Sequence, residues 1–324
     1  MFGRLRQVAF LKPFISARDS LMKRMGLFKV KSSIKRKYSY LKWRFEDNRR
    51  RKKIERRISQ LPDSFLHKEG RSFSPMLTVS LTSYGKRVEK SSPYAIYSIL
   101  DQTVLPDRIV LNIDKKKWNK DNIPAVLKKL ERIGVIIQFI DDIGPHTKLL
   151  PSLSHFPDDV IITVDDDVYY EQNTIEELLN AYKNSDKKTV ICREGKCLIK
   201  EDGCFRPYSK QPALSKFSDS PYKLPFGVAG VLYPPHIFSD EIFNIELIKR
   251  LCPKADDIWF GVMELRESIK VEYLINNSWT RTSVDRNEEY NPSVSGALYL
   301  LNDWEGQNDV QWKALMDYYK IDNI

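Results

Sequence analysis

The run Val160-Ile-Ile-Thr-Val-Asp165-Asp166-Asp167-Val168 sets three carboxylates directly behind an apolar, β-branched stretch. A strand alternates its side chains between faces, so Asp165 and Asp167 can share a face that Asp166 does not. Two hard oxygen ligands, with room for water and phosphate oxygens, suit Mg²⁺ or Mn²⁺. A metal held there can bridge a diphosphate and neutralise it as it leaves. An acidic turn closing a core strand has the same composition.

Three further patterns carry chemistry. Ala255-Asp256-Asp257-Ile258-Trp259-Phe260 opens a helix expected to run to about Glu267. Carboxylates in a first turn cap the helix and favour its dipole. Beside Trp259 and Phe260, one of them can instead have a raised pKa and act as a general base. Asp141-Asp142-Ile143-Gly144-Pro145-His146-Thr147-Lys148 turns at Gly-Pro and sets a lysine at the next helix start, where a phosphate oxygen can meet it. Thr82-Ser83-Tyr84-Gly85-Lys86-Arg87 offers hydroxyls, a ring and two cations, which suit a nucleotide base and ribose as well as they suit a solvated turn.

These residues need a scaffold that delivers them to one place. Strands are expected at Leu77–Thr82, Arg108–Ile113, Val135–Ile140, Val160–Val164 and Thr189–Cys192. Helices are expected at Pro93–Gln102, Ile123–Arg132, around Lys148–Leu153, and at Thr174–Tyr182. Such alternation is the pattern of a mostly parallel sheet with helices on both faces. Sites in these sheets lie at the carboxyl ends of the strands, where the triple Asp and the segments after the first and third strands fall. No Gly-x-Gly-x-x-Gly follows the first strand and no Walker-type lysine loop occurs, so ordinary dinucleotide and P-loop folds fit poorly.

Charge divides the chain. Residues 1–60 hold 20 Lys and Arg against four acids, a balance of +16, whereas the remaining residues carry −6 within the total of +10. The basic character belongs to the N-terminal segment and says nothing of the main domain. That segment lacks Gly and Pro after Gly26, and Val8, Phe10, Leu11, Phe14, Leu21, Phe28, Tyr38, Tyr40, Leu41, Trp43 and Phe45 punctuate its charge. It reads as basic amphipathic helix that associates with an anionic membrane surface or a partner. Residues 61–76 have turn composition and read as a linker, which leaves 77–324 as the catalytic domain. At 42% hydrophobic residues the chain can bury a core. No apolar run reaches the roughly 18 residues of a membrane span, and residues 1–14 lack a signal-peptide core. The expected setting is cytoplasmic, peripheral on the inner face of the cell membrane. Cys192, Cys197, Cys204 and Cys252 lack zinc spacing and read as reduced structural thiols.

Taken in order, these patterns resemble the GT-A-fold glycosyltransferases, nucleotide-sugar enzymes on one Rossmann-like α/β domain, and among them the bacterial enzymes of capsule or lipopolysaccharide assembly. The resemblance covers roughly residues 76–310. It implies a GT-A mixed sheet flanked by helices, with the basic helical segment as an extension. Asp165-Asp166-Asp167 matches the Asp-x-Asp motif, so the resemblance assigns Asp165 and Asp167 to Mn²⁺ or Mg²⁺, with Asp167 the direct ligand. Asp256-Asp257 matches the later acidic pair whose second member is the base in inverting members. Gly227 to Pro235 looks like the acceptor-side glycine stretch. Thr82, Ser83, Tyr84 and Arg87 would line the nucleotide pocket, Asp114 would contact base or ribose, and Lys148 would approach the phosphates, with Asp165 and Asp166 also at the donor.

The implied activity is transfer of a sugar from a nucleoside-diphosphate-sugar to a hydroxyl of a glycan or lipid-linked acceptor, with inversion, in cell-surface polysaccharide synthesis. The sequence departs from many metal-dependent relatives in having no histidine after His236; Asn308, Asp309 or water would stand in for it. Trp304 is a candidate to stack on a sugar. Two other readings stay open at this point. One is a retaining transferase in which Asp257 only positions the acceptor. The other is a nucleic-acid-associated protein using the basic arm, although that arm lacks zinc spacing, an aromatic RNA-stacking motif or a basic-zipper heptad, so no specific nucleic acid is expected.

Overall fold

Strand β1 (Leu77–Thr82) alternates Leu77, Val79 and Leu81 with Thr78, Ser80 and Thr82, and Leu77 to Leu81 are buried. Hydroxyls are tolerated inside only when bonded. Thr78 donates to Asp159 Oδ2 at 2.6 Å, and Ser80 donates to the carbonyl of Lys148 at 2.6 Å. The polar face of β1 therefore anchors the segment that carries Lys148. The computed structural model describes residues 27–67, 74–286 and 306–321.

Around β1 stand β2 (Arg108–Asp114), β3 (Ile136–Ile140), β4 (Val160–Thr163) and β5 (Thr189–Cys192). Two short pairs follow, β6 (Gly195–Cys197) with β9 (Lys223–Pro225) and β7 (Lys200–Glu201) with β8 (Cys204–Phe205). Strands β10 (Val231–Tyr233) and β11 (Lys270–Tyr273) complete a seven-stranded sheet in the order β11-β5-β10-β4-β1-β2-β3. All its pairings are parallel except those of β10, which runs antiparallel to both β4 and β5. The five strands expected from periodicity are present within a residue or two. β10 and β11 are too short, at three and four residues, to show a period of their own.

Helices cover both faces. On one lie α1 (Leu27–Gln60), α2 (Arg87–Lys90), α3 (Ser92–Leu100) and α4 (Ala125–Arg132). Helix α5 (Leu150–His155) is on the opposite face, and α6 (Thr174–Asn184) returns to the first. Helices α7 (Ile245–Leu251), α8 (Asp256–Arg266) and α9 (Gln307–Tyr319) complete the second layer. Adjacent strand residues serve different layers, as Val190 and Ile191 do in β5. The architecture is the mixed α/β sheet of a GT-A fold.

Among the described residues, the basic segment is one continuous helix whose last turns belong to the domain. Ile54 and Ile58 are four apart and buried, and they enter the same core as Leu127 and Leu130 of α4. Residues beyond Gln60 are held too. The amides of Ser64 and Leu66 donate to the carbonyls of Arg132 and Ile133 at 2.9 and 3.0 Å, and Leu66 is buried. The expected divisions at residues 60 and 76 do not coincide with a division of this core; charge density hid two isoleucines at helical spacing. Residues 1–26, with Val8, Phe10, Leu11, Phe14 and Leu21, lie outside the described residues. Ile58→Ala is expected to destabilise the whole domain by about 2–5 kcal/mol, the usual cost of truncating a fully buried isoleucine. Urea unfolding of the full chain checks this, and an unchanged midpoint would put α1 outside the cooperative unit.

Candidate active site

Strands β1 and β4 are parallel neighbours, with Ser80 opposite Thr163, so the segments after them leave the sheet side by side. Asp166 turns back toward the β1 loop, accepting from Ser83 Oγ at 2.5 Å and from Arg87 Nη1 at 3.2 Å. The same Arg87 nitrogen lies 3.0 Å from Asp167 Oδ2. Asp166 is therefore a strut between two loops, and burial pushes its carboxyl up to about 7. Asp165 is held the other way. Burial alone would raise it, but the adjoining Lys148 ammonium and then Arg87 and Arg281 hold it below the ordinary carboxylate range.

Lys148 ends a 3-10 turn over Gly144–Lys148, directly before α5. Its ammonium donates to Asp165 Oδ1 at 2.7 Å and lies 3.0 Å from Asp256 Oδ2. Burial disfavours this charge, but Asp165, Asp256 and Asp257 together outweigh the burial and raise its pKa well above the ordinary value. It is a fixed buried cation. His146, two residues earlier, is buried against the edge of Phe260, and burial lowers its pKa to about 4, so it is a neutral packing group.

Asp256 and Asp257 open α8, whose N-cap residue is Ala255, with no side-chain cap bond. Proximity to the helix dipole remains, but the capping explanation fails for Asp257. Its Oδ1 accepts instead from the Gly227 amide at 2.9 Å, which ties α8 to the loop before β10. A Cβ on Gly227 would stand 2.9 Å from Lys148 Nζ and 3.3 Å from Asp257 Oδ1, so glycine is what lets these groups converge. Burial, and then repulsion by Asp256, raise the Asp257 carboxyl to about 8.

One cavity of about 590 Å³ gathers these groups. Thr82, Tyr84, Arg87, Lys148, Asp165, Asp166, Asp167, Asp256 and Asp257 all line it. Ser83 sits behind the wall as the partner of Asp166, and Asp114 is outside the lining, its Oδ1 accepting from the Lys116 amide at 2.9 Å. Asn308 reaches the cavity, whereas Asp309 accepts from the Ser209 amide at 2.9 Å and does not line it. Trp304 lies outside the described residues. Cys192, Cys197 and Cys252 are buried free thiols and Cys204 is an exposed one.

Two site residues carried no sequence signal. Tyr170 is buried, accepts from the Asp165 amide at 2.7 Å and donates to the Val228 carbonyl at 2.9 Å, joining the triple-Asp turn to the loop that holds Asp257. Arg281 lines the cavity from a strand-like stretch in which the amides of Tyr169 and Val284 donate to Thr282 and Asp167. Seven lining carboxylates face five lining Lys and Arg residues, a formal balance of −2.

The solved structures similar to this chain include a mannosyltransferase, PcManGT, from Pyrobaculum calidifontis in complex with GDP-Man and Mn²⁺. It is 13% identical with a TM-score of 0.39, over 72% of this chain and 63% of that one. Residues 1–349 of TarS from S. aureus are 14% identical with a TM-score of 0.39, over 62% of this chain and 58% of that one. CMP:2-keto-3-deoxy-manno-octonic acid synthetase, complexed with CTP, is 10% identical with a TM-score of 0.39, over 61% of this chain and 89% of that one. No curated protein matches the chain. The sequence profile described as glycosyl transferase family 2 matches residues 78–250, which take in β1 to β10 and the triple-Asp turn and stop just short of Asp256. That match spans more than half of the sequence, and the chain belongs to glycosyl transferase family 2.

Proposed function

We propose that this glycosyltransferase moves a sugar from a nucleoside-diphosphate donor to a hydroxyl of a glycan or lipid-linked acceptor, inverting the anomeric centre, in cell-surface polysaccharide synthesis on the cytoplasmic side of the membrane. The observation that carries the reading is the convergence of Asp257, a half-buried carboxylate of raised pKa, with Asp165 and Asp167 in one cavity.

The residues fit a divalent cation of the Mg²⁺ or Mn²⁺ kind. Asp165 and Asp167 are hard oxygen donors lining the same cavity, the donor type that a hard divalent cation takes. Among the described residues no group of three or more His, Cys, Asp or Glu is placed to hold an ion alone. Asp165 and Asp167 would hold the ion together with groups from outside the protein, and of the two late candidates only Asn308 lines the cavity. When bound, the ion supplies charge neutralisation to the departing diphosphate.

The protein's own residues do the rest. Lys148 and Arg87, each paired with a carboxylate, are the cations placed to meet phosphate oxygens. Thr82 and Tyr84 border the donor end of the cavity. Asp257, oriented by the Gly227 amide, takes the acceptor's hydroxyl proton. The acceptor oxygen bonds to the anomeric carbon on the face opposite the diphosphate, whose C–O bond breaks with the electron pair leaving on phosphate.

The test is hydrolysis and transfer across a panel of nucleotide-sugars with and without Mn²⁺, followed by NMR of the product's anomeric configuration. Turnover of one donor with an inverted product is expected. A retained configuration would reduce Asp257 to an acceptor-positioning group, and no turnover of any donor would overturn the proposal.

A further inference from the structure

Helix α1 has two opposite faces with different company. The inner face carries Asp47, Arg51, Ile54 and Ile58, and its contacts are specific. Arg51 Nε donates to Asp47 Oδ2 at 2.5 Å and its Nη2 to the Val284 carbonyl at 3.0 Å, while the guanidinium lies over the Tyr94 ring. At 3.6 residues per turn the face directly opposite is the series Tyr38, Leu41, Phe45, Arg49, Lys52 and Arg56, spaced by three or four residues throughout. All six are exposed, and the first three are 69%, 53% and 64% exposed, although they are large apolar side chains. Single exposed apolar residues are ordinary; three in succession on one helical face mark an interaction surface.

We propose that this outer face of α1 is a docking surface for an anionic lipid bilayer, with Tyr38, Leu41 and Phe45 entering the headgroup layer and Arg49, Lys52 and Arg56 lying over acidic headgroups. The proposal rests on the reading of a lipid-linked or membrane-proximal acceptor, and it names the residues that bring the enzyme to it. Three features select lipid over protein. The series carries no acid, and it belongs to the segment of balance +16. Its apolar and cationic halves lie end to end, so a second copy in parallel register would oppose cation to cation. An interfacial helix needs this combination of inserted apolar groups and adjacent Lys and Arg. Among the described residues no helix is long and apolar enough to cross a membrane.

The docked helix also has a short mechanical path to the site. Its Arg51 holds the Val284 carbonyl, and the Val284 amide donates to the Asp167 carbonyl at 2.7 Å. A helix fixed on the surface thereby fixes the triple-Asp turn relative to that surface.

The experiment is co-sedimentation of the full chain with vesicles of equal parts phosphatidylglycerol and phosphatidylcholine, against pure phosphatidylcholine. The native protein is expected to pellet with the first and not the second, and to release as salt rises. The triple variant Arg49→Glu, Lys52→Glu, Arg56→Glu is expected to weaken partitioning on the order of 100-fold or more. The variant Tyr38→Ser, Leu41→Ser, Phe45→Ser is expected to weaken it roughly tenfold or more at low salt. Both keep the native melting midpoint, because neither touches the inner face. Native protein that ignores the anionic vesicles overturns the proposal, and so do variants that pellet like native. A dimer in size-exclusion chromatography that the apolar variant dissociates also overturns it, by assigning the face to a second copy. Donor hydrolysis without vesicles is read separately, so failure of the catalytic reading leaves the pelleting result intact.

Discussion

Asp257→Asn is expected to lower kcat by roughly 10²–10⁴-fold with donor KM nearly unchanged, the signature of a lost general base. The amide keeps the volume of the side chain and an oxygen for the Gly227 amide, so the geometry of the loop before β10 survives. What would disappear is the group proposed to take the proton. The pH profile adds a check that a structural role would not move. Burial and Asp256 raise the Asp257 carboxyl to about 8, and only its ionised form is a base. Activity should therefore fall as pH drops through that value and level off above it. Lys148, held charged well above its ordinary pKa, does not titrate in this window. The asparagine variant should lose the limb near 8, while any limb from Asp166, which burial raises to about 7, stays in both proteins. Asp256→Asn should be the milder change, since it removes one of two carboxylates around Lys148 and leaves Asp257 in place. Equal losses of thermal stability in both variants, with turnover retained in the folded fraction, would return the pair to a purely structural role.

Much of the site was legible because its signals are local. An apolar run followed by carboxylates announces a strand end, and a parallel sheet collects strand ends at one edge. Asp165, Asp167, Arg87 and Lys148 converge for that reason. What the sequence could not disclose are pairings across long separations. Lys148 reaches Asp256 over 108 residues, and Gly227 meets Asp257 over 30. Tyr170 looked like one more apolar residue after the triple Asp, yet its hydroxyl bridges Asp165 and Val228. Arg193 was equally silent. It is fully buried, its charge met by Glu171 and Glu177, and it donates to the Ala229 carbonyl at 3.2 Å in the same loop. Helix α1 misled in another way. Its charge read as a helix associating with a membrane or a partner, and the two isoleucines that commit its last turns to the core, Ile54 and Ile58, gave no separate signal. Asp114, at the end of β2, accepts from the Lys116 amide in its own turn, a local bond that the resemblance did not indicate.

Asp167→Asn is expected to abolish transfer and to change diphosphate binding in opposite senses with and without Mn²⁺. Arg87 Nη1 lies 3.0 Å from Asp167 Oδ2, and Lys148 donates to Asp165 at 2.7 Å. Removing one negative charge lowers the repulsion between lining and diphosphate and loosens Arg87 for a phosphate oxygen. Binding of nucleoside diphosphates in EDTA should therefore hold steady or tighten. With Mn²⁺ present, the same variant would lack one of the two carboxylates proposed to hold the ion. Loss of residues that merely orient a ligand costs 10–100-fold in metal affinity, so loss of a ligand itself should cost about 100-fold or more. Calorimetric titration of a nucleoside diphosphate panel, with Mn²⁺ and with EDTA, separates the two effects. Asp166→Asn should behave differently, because that side chain is bonded to Ser83 and Arg87; it should weaken the loop contact while leaving the Mn²⁺ dependence in place. Equal binding losses in Mn²⁺ and in EDTA for Asp167→Asn would mean that the carboxylate only holds Arg87. Full activity of the native enzyme in EDTA would remove the metal from the mechanism and leave Lys148 and Arg87 as the charges that receive the diphosphate.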